Sequence, residues 1–327
     1  MIVAGIDEAG LGPLLGPLCL GSSAVEVPTG QADTPEPLPD LWRLLGDAVS
    51  STRDRTGRRL HVSDSKKVFA GRADAGRVAL ERGVLAFQAA TGGSVPTSLD
   101  DVHEALSLKP TDVPRWYAPA ESERHPLWTS ADNVAIAANV LRHAVQGAGC
   151  RVVSLQSRLL FEPEYNRLCV ATRNKSAVVQ VALAELLYDL LERHASSPGG
   201  LSVVVDRQGG RSRYGPFLRQ MFEEWSLEVI READGESAYV LRRGTGVARI
   251  VFAEKAESLC LPTALASMIA KYLRERYMER FNAFFQSVDS GLKPTAGYWS
   301  DAQRFLRDAE ASLRERGVSR ADVERER

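Results

Sequence analysis

MIVAGIDEAGLGPLLGP, residues 1–17, opens with a short apolar run from Ile2 to Ile6 that ends on two adjacent carboxylates, Asp7 and Glu8. Gly10, Gly12, Pro13, Gly16 and Pro17 follow at once. The pattern is that of a buried strand that carries acids to its end and then turns on glycines. Open α/β sheets place their ligands at strand ends, and glycines let backbone N–H groups come close to a ligand. A β-turn bearing a solvated Asp-Glu pair is the plainer alternative, and these residues alone leave both open.

Outward from this stretch, residues 18–27 read as a second strand, able to form a hairpin with the first across the Gly/Pro turn. Residues 28–40 read as loop and 41–49 as a short helix. The run RRLHVSDSKKVF, 58–69, holds a polar turn, Asp64-Ser65-Lys66-Lys67, between apolar residues. Two lysines beside a serine hydroxyl suit a phosphate backbone; a solvated lysine pair is the alternative. Residues 73–90 form a helix with Val78, Leu80, Val84, Leu85 and Phe87 on its apolar face. Residues 92–129, rich in proline and acids and with two tryptophans, show no sustained period and read as an insertion with short helical pieces, a lid or added surface. Ser130 caps a helix over 131–145.

The second half repeats the logic of the first. Residues 151–160 predict a strand and 174–194 a strong amphipathic helix. Residues 201–205 (LSVVV) predict a strand buried on both faces, ending in Asp206. An acid there is costly unless it is paired or binds a cation. Arg207, Arg211, Arg213 and Tyr214 form one candidate basic patch and Arg242, Arg243 and Arg249 another, with solvated arginines as the alternative. A helix is expected over 217–225, and strands over 227–230, 238–241 and 247–252. In the helix expected over 264–285, Ser267, Lys271 and Glu275 sit four apart and form one polar stripe. Apolar residues occupy most of the remaining circumference, which favours a stripe that lines a site. A Gly/Pro loop over 288–298 ends in Gly297-Tyr298, a charged helix spans 300–316, and the last ten residues are expected to fray.

Composition narrows the function classes. The chain has 327 residues, 44% hydrophobic and 25% charged, as in ordinary globular proteins. With a net charge of −1, no global basic field recruits a polyanion, so any such partner needs a local patch. Four scattered cysteines without a CxxC pair argue against zinc or disulfides and fit a reducing cytoplasm. The absence of a signal sequence and of any apolar run of ~18 residues predicts a cytoplasmic protein with no membrane association. No P-loop and no motif-spaced histidine is present. Four carboxylates therefore stand out: Asp7, Glu8, Asp206 and Glu275. Carboxylates without His or Cys prefer hard cations such as Mg²⁺ or Mn²⁺. Two such ions ~3.5–4 Å apart activate a water and stabilise the leaving oxygen of a phosphodiester. Nothing in their spacing makes the four converge.

Five segments in order resemble motifs of the type 2 ribonuclease H family, the ribonuclease HII/HIII enzymes. DEAGLGPLLGP at 7–17 is similar to the family's DEAGRGPLAGP, and SDSKK at 63–67 to its DSKK. VVVDRQGG at 203–210 resembles its acid-terminated strand, KAESLCLPTALASMIAKYLRER at 255–276 its KADS and AASI-x-AK segments, and AGYWSDAQRFL at 296–306 its KGY segment. The resemblance covers roughly 1–90 and 150–310 and leaves out the insertion at 92–149. It implies an α/β fold, a ribonuclease H-like mixed sheet flanked by helices, with an inserted loop/helix segment and a C-terminal helical region. One domain over 1–310 and a polar tail over 311–327 are expected. The implied activity is two-metal-ion endonucleolytic hydrolysis of the RNA strand of RNA–DNA hybrids, or of ribonucleotides embedded in duplex DNA, by a monomer using Mg²⁺ or Mn²⁺.

Carried over by motif, Asp7, Glu8, Asp206 and Glu275 match the catalytic, metal-binding acids, with Glu at the fourth place as in the ribonuclease HIII arrangement. Gly10 and Gly12 match glycines whose backbone contacts the ribose 2′-OH, the group that separates RNA from DNA. Lys66, Lys67 and Lys271 match lysines near phosphates or acids, and Tyr298 matches a tyrosine at the junction nucleotide. Leu11 and Arg207 complete the expected nucleic-acid contacts. Leu11 stands where the family has Arg or Lys, which bears on junction specificity more than on hydrolysis. Glu257 replaces the Asp of KADS, and Lys293-Pro294-Thr295 stands where a His-Lys pair is common. A non-catalytic nucleic-acid-binding or assembly module on the same fold is the competing reading, and a DNA-directed nuclease a third.

Overall fold

The computed structural model describes residues 1–28, 38–70, 73–91, 93–119 and 123–326. In chain order the strands are β1 (Ile2–Ala9), β2 (Leu18–Glu26), β3 (Val49–Ser50), β4 (Leu60–His61), β5 (Arg151–Leu160), β6 (Leu201–Asp206), β7 (Ser226–Glu232), β8 (Glu236–Arg243) and β9 (Gly246–Ala253). The helices are α1 (Leu41–Leu44), α2 (Ser65–Val68), α3 (Ala73–Ala90), α4 (Leu99–Ala105), α5 (Ala131–Gly147), α6 (Glu162–Thr172), α7 (Lys175–His194), α8 (Gly215–Met221), α9 (Leu261–Gln286), α10 (Trp299–Asp308), α11 (Glu310–Glu315) and α12 (Arg320–Val323).

β1 is apolar on both faces because both are covered. Ile2, Ala4 and Ile6 join one core cluster and Val3 joins another. The strand forms the expected antiparallel hairpin with β2, in a register running from Ile2 opposite Glu26 to Ala9 opposite Cys19. It also pairs in parallel with β6, which pairs in parallel with β9. The full order is β5-β2-β1-β6-β9-β8-β7, a mixed seven-stranded sheet. α7 and α8 cover one face, and α9 covers the other with α3 and α5 behind it. This is the mixed sheet flanked by helices, with a C-terminal helical region, that the resemblance implies.

α9 lies unusually close to the sheet, and two glycines make room for it. A Cβ on Gly5 would fall 2.1 Å from the backbone nitrogen of Thr263, and one on Gly21 would fall 2.2 Å from the carbonyl oxygen of Ala266. The contact brings Ser267 to the ends of β1 and β6.

Several expectations change. The helix expected over 41–49 stops after one turn, since Gly46 and Asp47 are weak helix formers, and Val49 pairs with Leu60 instead. The helix expected over 217–225 starts earlier, with Pro216 in its first turn, and ends at Met221, where Phe222 and Trp225 turn into the core. The helix expected over 300–316 breaks at Ala309 into α10 and α11. Of the loop at 28–40, residues 29–37 lie outside the described residues.

The segment 92–149 is not a lid. Its Tyr117 is fully buried, with its ring 5.1 Å from that of Phe161 and 5.4 Å from that of Tyr277. The buried Glu81 of α3 accepts hydrogen bonds from the backbone of Leu127, Trp128 and Thr129, and α5 packs along α3. The final residues are docked rather than frayed. Val323 is buried, and Arg325 is 3% exposed, its guanidinium 4.7 Å over the ring of Tyr165. Among the described residues no helix is long and apolar enough to cross a membrane.

Candidate functional site

Parallel pairing of β1 with β6 sets Ile6 opposite Val205, so Asp7 and Asp206 leave neighbouring strands at the same level. Adjacent strands lie ~4.8 Å apart. Asp7 is 8% exposed, and burial, then Glu8, then Asp206, push its carboxyl well above the usual range. The nearby Ser267 side chain and the Glu8 N–H, which donates to it at 2.7 Å, partly offset this. Burial and then Asp206 raise Glu8 to about 7, with Lys66 opposing. Burial and then Glu257 raise Asp206 to about 6, while the Ala256 N–H donates to its Oδ1 at 3.2 Å.

The acid whose charge is felt at Asp206 is Glu257, and Glu275 lies elsewhere. Glu257 lies in the 3₁₀ turn Ala256–Ser258 that follows β9, is 8% exposed, and is the first charge felt at Asp206. Glu275 is eight residues beyond Ser267 on α9, a rise of ~12 Å away from the residue that meets Asp7. It is held there by Lys271, whose Nζ donates to it at 2.6 Å, and by Arg77 at 3.6 Å. The same pairing takes Lys271 out of the group, its ammonium lying 4.8 Å over the ring of Phe69. The polar stripe of α9 is thus divided: Ser267 faces the acids and the other two residues face α3. The missed signal was the acid of KAES, a few residues past the end of a strand neighbouring β6.

The SDSKK turn is pinned to the same place. Asp64 caps α2. The Ser267 hydroxyl donates to Ser65 Oγ at 3.0 Å and accepts from its N–H at 3.3 Å. Lys66 is exposed, and its charge lowers the proton affinity of both Glu8 and Asp206. Lys67 Nζ donates to Ser258 Oγ at 3.3 Å, beside Glu257.

The glycine loop continues from Glu8. Gly10 has φ +96°, and a Cβ there would meet the Pro17 carbonyl at 2.7 Å. Gly12 is exposed with open space about it, whereas the Leu11 side chain packs on the apolar cluster beneath α7. The loop's shape comes from distant residues. The buried Arg274 donates to the carbonyls of Pro17 (2.7 Å), Leu15 (3.0 Å) and Ala296 (3.0 Å). Glu162 accepts from the Gly16 N–H at 3.1 Å and from the Tyr117 hydroxyl. The Arg325 N–H donates to the Leu14 carbonyl at 2.9 Å, and its guanidinium to that of Pro13. Leu14 N–H donates to the Gly297 carbonyl at 2.8 Å, which sets Tyr298, 55% exposed, beside the loop.

In each of the two arginine patches one member is held by the protein's own groups. Arg207 is spent on Glu254 at 2.9 Å and on the Arg211 carbonyl at 2.7 Å. Tyr214 is fully buried, stacked 3.6 Å from Phe252. Arg243 pairs with Glu192 and Glu224 and lies 4.5 Å over Trp225.

Among the described residues no group of three or more His, Cys, Asp or Glu side chains is arranged as a ready metal cluster. The donor chemistry nevertheless fits a divalent cation: Asp7, Glu8, Asp206 and Glu257 offer only hard oxygens, and burial, with repulsion from neighbouring acids added to it, raises three of them. A raised carboxyl holds its proton longer in the folded than in the unfolded chain. Stability from these groups is therefore present at low pH and lost as pH rises from about 4 through about 6 to 7. His103 and His125, pushed down to about 4 by burial, act in the opposite direction. The share of Asp206 is read as the difference between wild type and Asp206→Asn in urea unfolding without metal. The variant is expected to gain on the order of 2 kcal/mol over wild type between pH 5 and pH 8. A gap that stays flat or closes over that range would remove the repulsion argument.

No family model matches this chain, and no curated protein matches it in sequence. Among solved structures it is similar to ribonuclease HII of Archaeoglobus fulgidus, solved in complex with PCNA, at 17% identity and a TM-score of 0.43, covering 100% of this chain and 95% of that one. It is similar to Bst-RNase HIII in complex with Mn²⁺ at 16% identity and a TM-score of 0.43, covering 99% of this chain and 66% of that one. It is also similar to ribonuclease H2 of Pyrococcus horikoshii OT3 at 15% identity and a TM-score of 0.41, covering 99% and 92%. These solved structures that the chain resembles are type 2 ribonucleases H.

Proposed function

We propose that this chain is a type 2 ribonuclease H: a metal-dependent endonuclease that hydrolyses the RNA strand of RNA–DNA hybrids, or a ribonucleotide within duplex DNA. The reading is carried by one observation. Asp7 and Asp206 leave paired strands at the same level, with Glu8 beside them and Glu257 next to Asp206, directly beside a glycine loop with an open backbone. Bound Mg²⁺ or Mn²⁺ would supply an activated water and offset charge on the leaving oxygen. The four carboxylates would hold the ions, and Lys66 would face the phosphate. Ser267 keeps the Asp7 carboxylate and the Ser65 turn in one arrangement. Gly10 and Gly12 would bring backbone groups to the 2′-OH, and Tyr298 would pack on the flanking sugar or base. Four free, buried cysteines accord with a reducing compartment such as the cytoplasm, and a monomer is expected.

The packing of Leu11 favours a second reading. Its side chain is turned into the apolar cluster and offers no cation to the phosphate, as a non-catalytic binding module would allow. Three duplexes decide between them: all-DNA, one embedded ribonucleotide, and a continuous hybrid, each with Mg²⁺ and with Mn²⁺. Cleavage confined to RNA-containing duplexes is the expected result. Binding without cleavage under every condition supports the second reading, and cutting of the all-DNA duplex points to a DNA-directed nuclease.

A further inference from the structure

The loop STRDRTGRR, residues 51–59, joins β3 to β4 and belongs to none of the five motifs. With α2 and α3 it encloses an open groove of about 800 Å³. Arg53, Arg55, Arg59, His61, Lys67 and Arg82 line it. One acid, Asp54, shares the groove, and its oxygens are occupied. They accept from the Thr56 hydroxyl at 2.7 Å and from the N–H groups of Arg58 and Arg59 at 3.1 and 3.0 Å. That carboxylate folds the loop and pairs with Arg59 at 3.9 Å, so one acid stands against the five other cationic or titratable side chains of the lining.

Elsewhere, Arg207 is matched to Glu254 and Arg243 to Glu192 and Glu224. Among the described residues Arg53, Arg55 and Arg82 make no such ion pair. Arg82 stands half-buried on α3, where loss of solvent disfavours its charge. A cationic side chain held in that state gains from an anion that enters the groove. The groove also adjoins the acid group, for Lys67 lines it and reaches Ser258 beside Glu257.

We propose that this groove binds the sugar-phosphate backbone of the duplex, gripping phosphates some nucleotides away from the one placed on the acids. The proposal rests on the reading of the acids as a nuclease site. Open shape and cations spread over a loop and a helix suit a polyanion that runs through, rather than one small phosphate.

The test is binding in EDTA, followed by fluorescence anisotropy, for wild type, the triple variant Arg53→Ala/Arg55→Ala/Arg59→Ala, and its Arg→Lys counterpart. Each is measured against a long duplex and against one of about six base pairs, from low salt to about 0.3 M. For the long duplex the slope of log K against log salt is expected to fall by roughly two to three in the alanine variant, ~0.9 per lost phosphate contact, with binding weaker by roughly 10²-fold or more near 0.1 M salt. The lysine variant keeps most of the slope, and the short duplex binds all three proteins alike. An unchanged slope, an equal loss on the short duplex, or displacement of the long duplex by millimolar inorganic phosphate would overturn the proposal. A slope that falls although wild type cuts no duplex leaves the groove standing and removes the nuclease reading. Cleavage with an unaffected slope does the reverse.

Discussion

Asp206→Asn is expected to reduce cleavage of an RNA–DNA hybrid by at least about 10²–10³-fold, the scale of losing one preorganised electrostatic group in an active site. Asn keeps the size of the side chain and can still accept the Ala256 N–H that Asp206 accepts at 3.2 Å. What it loses is the negative charge that a divalent cation needs. The same loss relieves repulsion among Asp7, Glu8 and Glu257. The metal-free variant should therefore melt above wild type at pH 8 while its single-turnover rate collapses. A merely unfolded protein could not show that combination. Glu257→Gln is expected to behave likewise, and Glu275→Gln to cost far less, because its carboxylate answers to Lys271 and Arg77. A harmless Glu257→Gln beside a dead Glu275→Gln would reverse the assignment of the fourth acid.

Arg274→Met is the change expected to cost the fold most. The guanidinium is 2% exposed and donates to three carbonyls on two segments of chain. Methionine fills part of the volume but donates nothing. Each orphaned buried acceptor costs about 1–3 kcal/mol, so a loss of about 3–5 kcal/mol in urea unfolding is expected after the apolar gain is allowed for. The loss should also reach the substrate. Leu15 and Pro17 are released on one side and Ala296 on the other, so the glycine loop and Tyr298 are left tied through the Leu14 and Leu15 N–H bonds to the Gly297 carbonyl, and the two are held less firmly. Discrimination between a ribonucleotide-containing and an all-DNA duplex should fall more than the rate on a continuous hybrid. Equal discrimination in a folded Arg274→Met protein would show that the clamp serves stability alone.

The central strands were legible because their constraints are local. Continuous apolar runs at 2–6 and 201–205 announced burial on both faces, and the acids after them marked strand ends. The divided stripe of α9 was not legible. Ser267, Lys271 and Glu275 share a helical face by spacing, but the helix reaches well past the end of the sheet, so eight residues separate two environments. Glu257 was hidden for the converse reason. It follows a strand whose place beside β6 is set by parallel pairing across 40 residues of intervening chain, which no local period reveals. The burial of Tyr214 was not legible because Phe252, which stacks on its ring, and Tyr239, whose hydroxyl accepts from its N–H, come from strands distant in sequence. The groove at 51–59 lay mostly among residues for which the sequence suggested no element.

The contact between Arg325 and Pro13 joins positions 312 residues apart. At ~5–20 residues per second, the ribosome delivers residue 325 roughly 15–60 s after residue 13. The strands bearing Asp7 and Asp206 can pair in that interval, but the glycine loop still lacks one of its clamps. A nascent chain would thus pass through a stage in which it carries its acids but not the shape that reads a sugar. Its selectivity would arrive last, with the docking of α12.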